Sequence, residues 1–528
     1  MYKPVVKPGG APRNIQVSTM AQKGLNLEGL PEMMKLEYAK KIINYIPYSF
    51  GIATRGGIES QGDKGITEGH TLLEHFYDTY FIVGHGTSIE VFDISDGSFT
   101  VIKNDFSAST RWGGGRYGRY FIVTNGVDQP YRIDNTFSET IIASAPICDD
   151  IDFIGARAIA ISLDSDETAV QISDVDDGSN PPFNDWNTGT LATEGAIVNY
   201  RNAGKARSVA PLGNIITVWS DNGYFAFSVD TMDSAGTIKK VENVQDYIED
   251  FGGARGAITT TKGIFSVNEA GLWQTVQVGQ TNVPYSRQQK LNTVLLTDGY
   301  FDNVDFGNTD MIFDEKQKIL LLTYAKGASV NNKVLGYKIS EEIEALFEIE
   351  GWALNRFTKY DDKIYASSSV DGNIFECFKG STDDGVAIST EYTSELPLES
   401  LWNRHSLKRF YSKGFLSLDS IIDVNFDIYD KEGAPIESKR VNRWTPQRDD
   451  STGDGWGSAK WGESAWGGDY DLSNMIECTN WCRGRISNAQ RISVRFTSEV
   501  TVPHIISWFS AEIEEKQAIK VPSMGKIV

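Results

Sequence analysis

The residues whose types and spacing could carry chemistry are few. Cys478 and Cys482 form C-x3-C, half of a structural zinc site. Zinc needs four ligands, and no second Cys/His pair stands near, since His504 is alone. Gly113, Gly115 and Gly118 in GGGRYG satisfy a formal G-x-G-x-x-G. Dinucleotide binding needs a helix after that motif, whereas YFIVTNG follows and reads as a strand. The glycines are therefore expected to turn the chain between two repeats. DVDDG (Asp174 to Gly178) and DSTGDG (Asp450 to Gly455) resemble calcium loops. The first has its glycine one residue early, and the second has Trp461 where a bidentate Glu belongs, so both read as solvated turns. His70, His75, His85, His405 and His504 are scattered without the spacing of a nucleophilic triad. Among 71 Asp and Glu, nothing selects a pair for glycosidase chemistry. No catalytic residue, no cofactor and no metal is expected, and the chain is not expected to be an enzyme.

One further group is aromatic. GWGSAKWGESAWGG places Trp456, Trp461 and Trp466 five residues apart, each followed by glycine. On a helix a step of five turns each ring by roughly 140°, so the three scatter around the axis. On an unbroken strand an odd step alternates faces. The segment must turn between tryptophans, and glycine permits it. Stacking on sugar rings is one use of such a cluster; a small local core or a protein interface is the plainer one.

The elements that would position these residues are β-strands. Fifty glycines and an 11% aromatic share favour short strands joined by turns. Fifty Lys and Arg against 71 Asp and Glu give a formal charge of −21, which lacks the basic footprint of a nucleic-acid binder and does not suit an anionic membrane surface. Four cysteines in 528 residues are too few for a disulfide scaffold, and the opening MYKPVVKPGGAPRNIQVS has no apolar signal core. A protein made in a reducing cytosol without a membrane anchor is expected.

Along the chain, residues 1 to about 18 read as a Pro/Gly-rich basic arm. Met33, Leu36, Ala39, Ile42 and Ile43 recur at helical spacing within Leu30 to Tyr45, which suggests a short amphipathic helix or turn. A unit of strand, turn and strand then recurs from Tyr80, Tyr120, Ala158, Ile215, Gly263, Lys318 and Lys363. Its spacing of about 40 to 55 residues is that of four-stranded propeller blades. Such a unit cannot bury its own faces, so neighbours must stack around a ring. The alternative is one long β-sandwich with frequent hairpins. From about residue 391 longer alternating strands read as a β-sandwich. The expected plan is all-β: an N-terminal arm with a short helix/strand segment over 1–60, a β-propeller of about six to eight blades over 61–390, an antiparallel sandwich carrying the Trp-Gly insertion over 391–515, and a tail over 516–528.

Several phrases, in order, resemble the tail nozzle proteins of short-tailed bacteriophages, also called tail tubular protein B or packaged-DNA stabilisation proteins. Gly24-Leu25-Asn26, Asn44-Tyr45 and Arg55-Gly56-Gly57 resemble the family's opening. Asn125, Gly126, Asp128, Pro130 and Tyr131 resemble its NG-x-D-x-P-Y phrase. Ser173, Asp174, Asp177, Gly178 and Trp186 resemble its SD-x-GDP-x-x-W phrase, and the Trp-Gly run resembles runs common in virion tail proteins. The similarity spans residues 20 to 510 or so. It departs at Leu27, where the family has Thr, and no long nozzle-tip insertion is evident. The resemblance implies a homo-hexameric ring in the virion tail, assembled in the host cytoplasm. The ring would sit below the portal and adaptor rings, carry tail fibres or spikes, and let double-stranded DNA pass without specific binding. The runner-up is a receptor-binding or polysaccharide-degrading tail protein built on a propeller. A cellular propeller scaffold comes third.

Overall fold

The computed structural model describes residues 12–17, 38–109, 111–176, 182–212, 215–232, 238–249, 256–268, 271–277, 286–290, 300–396, 404–430, 434–446 and 475–516, with residues 20, 22, 23, 25, 178 and 398 singly. Apart from one 3-10 turn, Arg201–Ala203, the regular elements of the described residues are all strands.

Five separate antiparallel sheets of four strands, and two four-stranded units that belong to one fourteen-stranded sheet, succeed one another and form a β-propeller. Blades 1 to 5 occupy residues 72–103, 113–141, 148–199, 206–249 and 258–290, and blade 6 occupies 304–349. Blade 7 takes three strands from 354–377 and its outermost strand from Ile58–Asp63, far upstream. The first strand of each blade lies innermost and touches the first strands of both neighbouring blades, so the ring is closed. The seven units read from the sequence are the central hairpins of these seven blades.

The burial pattern follows from this stacking. The second strand of a blade is covered on both faces by the adjoining blades. Arg157–Leu163 and Ile215–Ser220 are buried throughout, and both read as nearly unbroken apolar runs. Outer strands face water; Glu139–Ile141 is exposed along its length. The apolar contacts are mainly between blades. Leu72, Phe76 and Ile82 of blade 1 pack with Phe121 and Val123 of blade 2. Phe81 and Phe92 of blade 1 pack with Tyr365 and Ile374 of blade 7 across the seam where the ring closes.

The second body is an antiparallel β-sandwich. One sheet combines Arg13–Val17, Tyr45–Tyr48 and Gly51–Thr54 with Arg404–Ser417, Met475–Ala489 and His504–Lys516. The other combines Lys41–Ile43 with Val386–Glu395, Ile422–Tyr429, Pro435–Trp444 and Arg491–Val500. Ile422–Tyr429 alternates buried and half-buried residues without a break, as a strand with one covered face must. Phe410 joins the layers, with ring centroids 5.1 Å from Phe426 and 6.0 Å from Phe496.

The N-terminal expectation is corrected here. Arg13–Val17 is an edge strand paired with His504–Lys516, not part of a free arm. Lys41–Ile43 is a strand within the Leu30 to Tyr45 stretch read as a short helix or turn, and with Tyr45–Tyr48 it forms the strand part of the helix/strand segment expected over 1–60; residues 26–37 lie outside the described residues. Ile42 and Ile43 are both buried, because their strand lies between Val386–Glu395 and the outermost strand of blade 6. Pairing on both edges overrides a local helical spacing that would satisfy only one face.

Candidate functional site in the axial cavity

Where the innermost strands converge lies a half-open cavity of about 320 Å³. Its ionisable lining comes from separate blades: Glu74 from blade 1, Asp150 and Asp152 from blade 3, Asp310 from blade 6 and Arg356 from blade 7. Blade 2 contributes Gly113, Gly114 and Gly115 instead of side chains. A Cβ on Gly113 would come within 2.5 Å of both Asp149 O and the Asp150 carboxylate, and Gly114 sits at φ 145°. Blade 2 therefore approaches blade 3 through bare backbone. These residues form a strand, which corrects the expectation of a turn for Gly113 and Gly115. Gly118, at φ 59°, does turn the hairpin.

The electrostatics follow from crowding carboxyls away from water. Burial raises the Glu74 carboxyl to about 8, and nearby Asp310 adds to the effect, with smaller contributions from Asp150 and Asp152. Burial also raises Asp152 to about 6, with Asp150 reinforcing it. Near neutral pH Glu74 thus chiefly keeps its proton. Glu74 Oε2 lies 3.3 Å from Thr358 Oγ1, and Asp310 Oδ2 accepts the Phe357 amide at 2.8 Å. Arg356 is only 6% exposed. Its Nε donates to Thr71 O at 2.8 Å and its Nη1 to Thr309 O at 3.2 Å. Its Nη2 has no hydrogen-bond partner.

None of these side chains belongs to a local motif, which is why the sequence reading missed them. A signal does exist one strand upstream of the recurrent hairpin. Glu74, Gly115, Asp150, Ser208 and Arg356 are each the third residue of the first strand of their blade.

The residues weighed from the sequence are dispersed. Cys478 and Cys482 lie on one strand of the sandwich and, like Cys148 and Cys377, are buried and form no disulfide. Burial raises the Cys482 thiol to about 11. Asp174 accepts the Gly195 amide and Asp176 the Tyr117 hydroxyl, so both carboxylates tie loops together. Among the described residues no three His, Cys, Asp or Glu are grouped to hold a metal ion. His70 and His85 meet edge-on at 5.3 Å near the ring seam, while His504 lies buried in the sandwich against Tyr45. DSTGDG and Trp456, Trp461 and Trp466 lie outside the described residues, in the connection between Trp444 and Met475.

The phrases that carry the family resemblance, where described, have structural work. Asn125 Nδ2 donates to Asp128 Oδ2 at 2.8 Å, and Asp128 in turn accepts from Ser107, closing the loop before Tyr131. Ser173 Oγ accepts the Ala158 amide at 2.9 Å, and Trp186 is buried between blades 2 and 3.

No family model matches the chain, and no curated protein does. Solved structures with similar coordinates include the mitotic checkpoint complex (12% identity, TM-score 0.38, covering 61% of this chain and 91% of that one). A computationally designed protein, Ika8, gives 11% identity and a TM-score of 0.35 over 60% of this chain and 99% of its own. BamB from Moraxella catarrhalis gives 11% and 0.35 over 63% and 93%. The propeller assignment rests on the sheet topology of this chain.

Proposed function

We propose that this chain is a structural subunit of the tail nozzle of a short-tailed bacteriophage, a non-enzymatic component that assembles as a six-fold ring. The ring would dock below the portal and adaptor rings, carry fibres or spikes, and conduct double-stranded DNA during ejection. The reading is carried by the ordered series of phrases that resemble that family. A second observation favours a conduit that does not grip its cargo. Residues 61–390 hold 47 Asp and Glu against 25 Lys and Arg, while the rest of the chain holds 24 against 25. The net negative charge therefore belongs to the propeller segment, and a surface of that sign repels phosphates. The axial cavity cannot be the conduit, since about 320 Å³ is far too little for a duplex whose major groove alone is about 12 Å wide. In this reading the lumen is formed between copies, by outer surfaces of the propeller segment.

The test is the particle that contains the chain. Imaging of purified virions or of the assembled protein should show a six-fold ring. Any other symmetry, or absence of the chain from virions, would reject the proposal. Release of oligosaccharide from host polysaccharide, abolished by one carboxylate substitution, would favour the tail-enzyme reading instead.

A further inference from the structure

The geometry points to a head-to-tail contact between copies of this chain, in which the free edge of one copy's sandwich docks on the outer strands of blades 1 to 3 of the next. The inference rests on the reading that the chain assembles as a ring of copies, and it names the two surfaces that meet in that ring.

The sandwich joins the propeller at blades 6 and 7. Lys41–Ile43 pairs with the outermost strand of blade 6, and Arg55 leads into the outermost strand of blade 7. In a ring of seven, blade 3 stands opposite that junction. From blade 6 the sheet runs outward through Lys41–Ile43, Val386–Glu395, Arg491–Val500 and Ile422–Tyr429, and it ends at Pro435–Trp444. The other layer ends beside it at Met475–Ala489, where Asn442 Nδ2 donates to Asn480 Oδ1. Among the described residues neither of these two strands is paired on its outer side.

The two ends carry opposite charge. Residues 72–199, blades 1 to 3 with their connections, hold 20 Asp and Glu against 6 Lys and Arg, which is −14 of the chain's −21. The two free strands of the sandwich hold five Lys and Arg against two Glu. Arg440 and Arg443 share the single carboxylate of Asp423, and Arg483 is exposed on the neighbouring strand, so positive charge is left over at this edge. Both ends also expose apolar side chains on open strands. Val101, Ile141 and Ile197, each about half exposed, lie on the outermost strands of blades 1, 2 and 3, whereas the outermost strand of blade 6 is covered by Lys41–Ile43. Ile436 and Trp481 lie on the free strands of the sandwich, 62% and 48% exposed. Open edges with apolar side chains favour a covering partner. Like ends repel and opposite ends attract, so each copy offers one surface and receives on the other, and the series stops when the rotation closes a ring.

The experiment is sedimentation velocity of the full chain over a range of concentrations at low and high salt. Two variants are compared with wild type. One carries Arg440→Glu with Arg483→Glu at the sandwich edge; the other carries Glu139→Lys with Glu167→Lys, both exposed on blades 2 and 3. Wild type should form oligomers larger than a dimer at low salt and lose them at high salt. Each variant alone should associate about tenfold more weakly or less, and an equimolar mixture of the two should recover association because the reversed surfaces match. Thermal melting checks that each is folded; if one pair of substitutions unfolds the chain, the other pair and the salt dependence decide. Absence of self-association by wild type at low salt overturns the inference. So does a dimer that grows no further, or association that neither variant weakens. A six-fold ring in virions that both variants leave intact overturns this contact and leaves the nozzle reading standing. Head-to-tail rings of another symmetry keep the contact and reject the nozzle reading.

Discussion

Arg55 and Asp383, 328 positions apart, meet as a two-pronged ion pair, with Nη1 2.8 Å from Oδ1 and Nη2 2.6 Å from Oδ2. Arg55 follows the sandwich strand Gly51–Thr54 and precedes Ile58–Asp63, the strand that completes blade 7. Its Nε donates to Asn44 Oδ1 at 2.8 Å, its Nη2 reaches Glu350 O at 3.0 Å, and its plane lies 4.5 Å from the Trp352 ring. Trp352 Nε1 donates to the same Asp383 carboxylate at 2.9 Å. One guanidinium thus ties the sandwich to blades 6 and 7. Gly57 beside it has no room for a side chain, since a Cβ would come 1.7 Å from Thr382 O.

Asp383→Asn should therefore destabilise the chain by roughly 3 kcal/mol, the range for removing one partner of a buried pair. Arg55→Lys should cost a similar amount, because an ammonium cannot serve the carboxylate, the amide oxygen and the carbonyl together. Urea unfolding would measure both. A loss below about 0.5 kcal/mol in each variant, the usual scale for surface substitutions, would show that the junction does not depend on the pair.

The stability of the hub should depend on pH through Glu74. Its ordinary value is 4.5 and its folded value about 8, so between those limits the folded chain keeps a proton that the unfolded chain has lost. Stability from this group is complete below 4.5 and falls as pH rises to about 8. Glu74→Gln, which cannot ionise, should flatten that decline and melt at a higher temperature than wild type at pH 8. Equal melting temperatures for the two proteins at pH 5 and pH 8 would contradict the account.

The acid limb should come from histidine. Burial lowers His70 to about 4, with the neighbouring His85 adding to the effect, and burial lowers His504 to about 3. Below about 6.5 the unfolded chain protonates these rings while the folded chain does not, so stability falls from pH 6.5 towards pH 4 and continues down to pH 3 for His504. His70→Gln should reduce the slope between pH 6.5 and pH 4, read from thermal melts at half-unit steps. A slope unchanged from wild type would remove His70 from the explanation.

Trp461→Ala addresses the Trp-Gly run. An anchoring role at a subunit or fibre interface requires loss of incorporation into tails with little change in the melting of the free chain; a truncated interface Trp is often worth about 2 kcal/mol or more. A fall in chain stability with normal incorporation would instead make the ring part of a local core.

The blades were legible in the chain because their second strands are covered by neighbours on both sides. Burial on two faces demands runs such as RAIAISL and IITVWS, and those runs recur at blade spacing. The later sandwich strands were legible for the related reason that one covered face enforces alternation, as in IDVNFDIY. The closure of the ring was not legible. ESQGD, most of the strand that completes blade 7, carries no apolar pattern, and its partner Asn373–Cys377 lies more than 300 residues away. Nor was the fate of Ile42 and Ile43, whose spacing suits a helix but whose two strand partners come from blade 6 and the sandwich. The hub lay furthest from view. Glu74, Asp150, Asp310 and Arg356 are unremarkable singly, and only the convergence of separate first strands on one axis withholds water from them together. Local composition specifies what each strand must bury. Which strands meet, and therefore which polar groups lose their solvent, is decided by the closed ring.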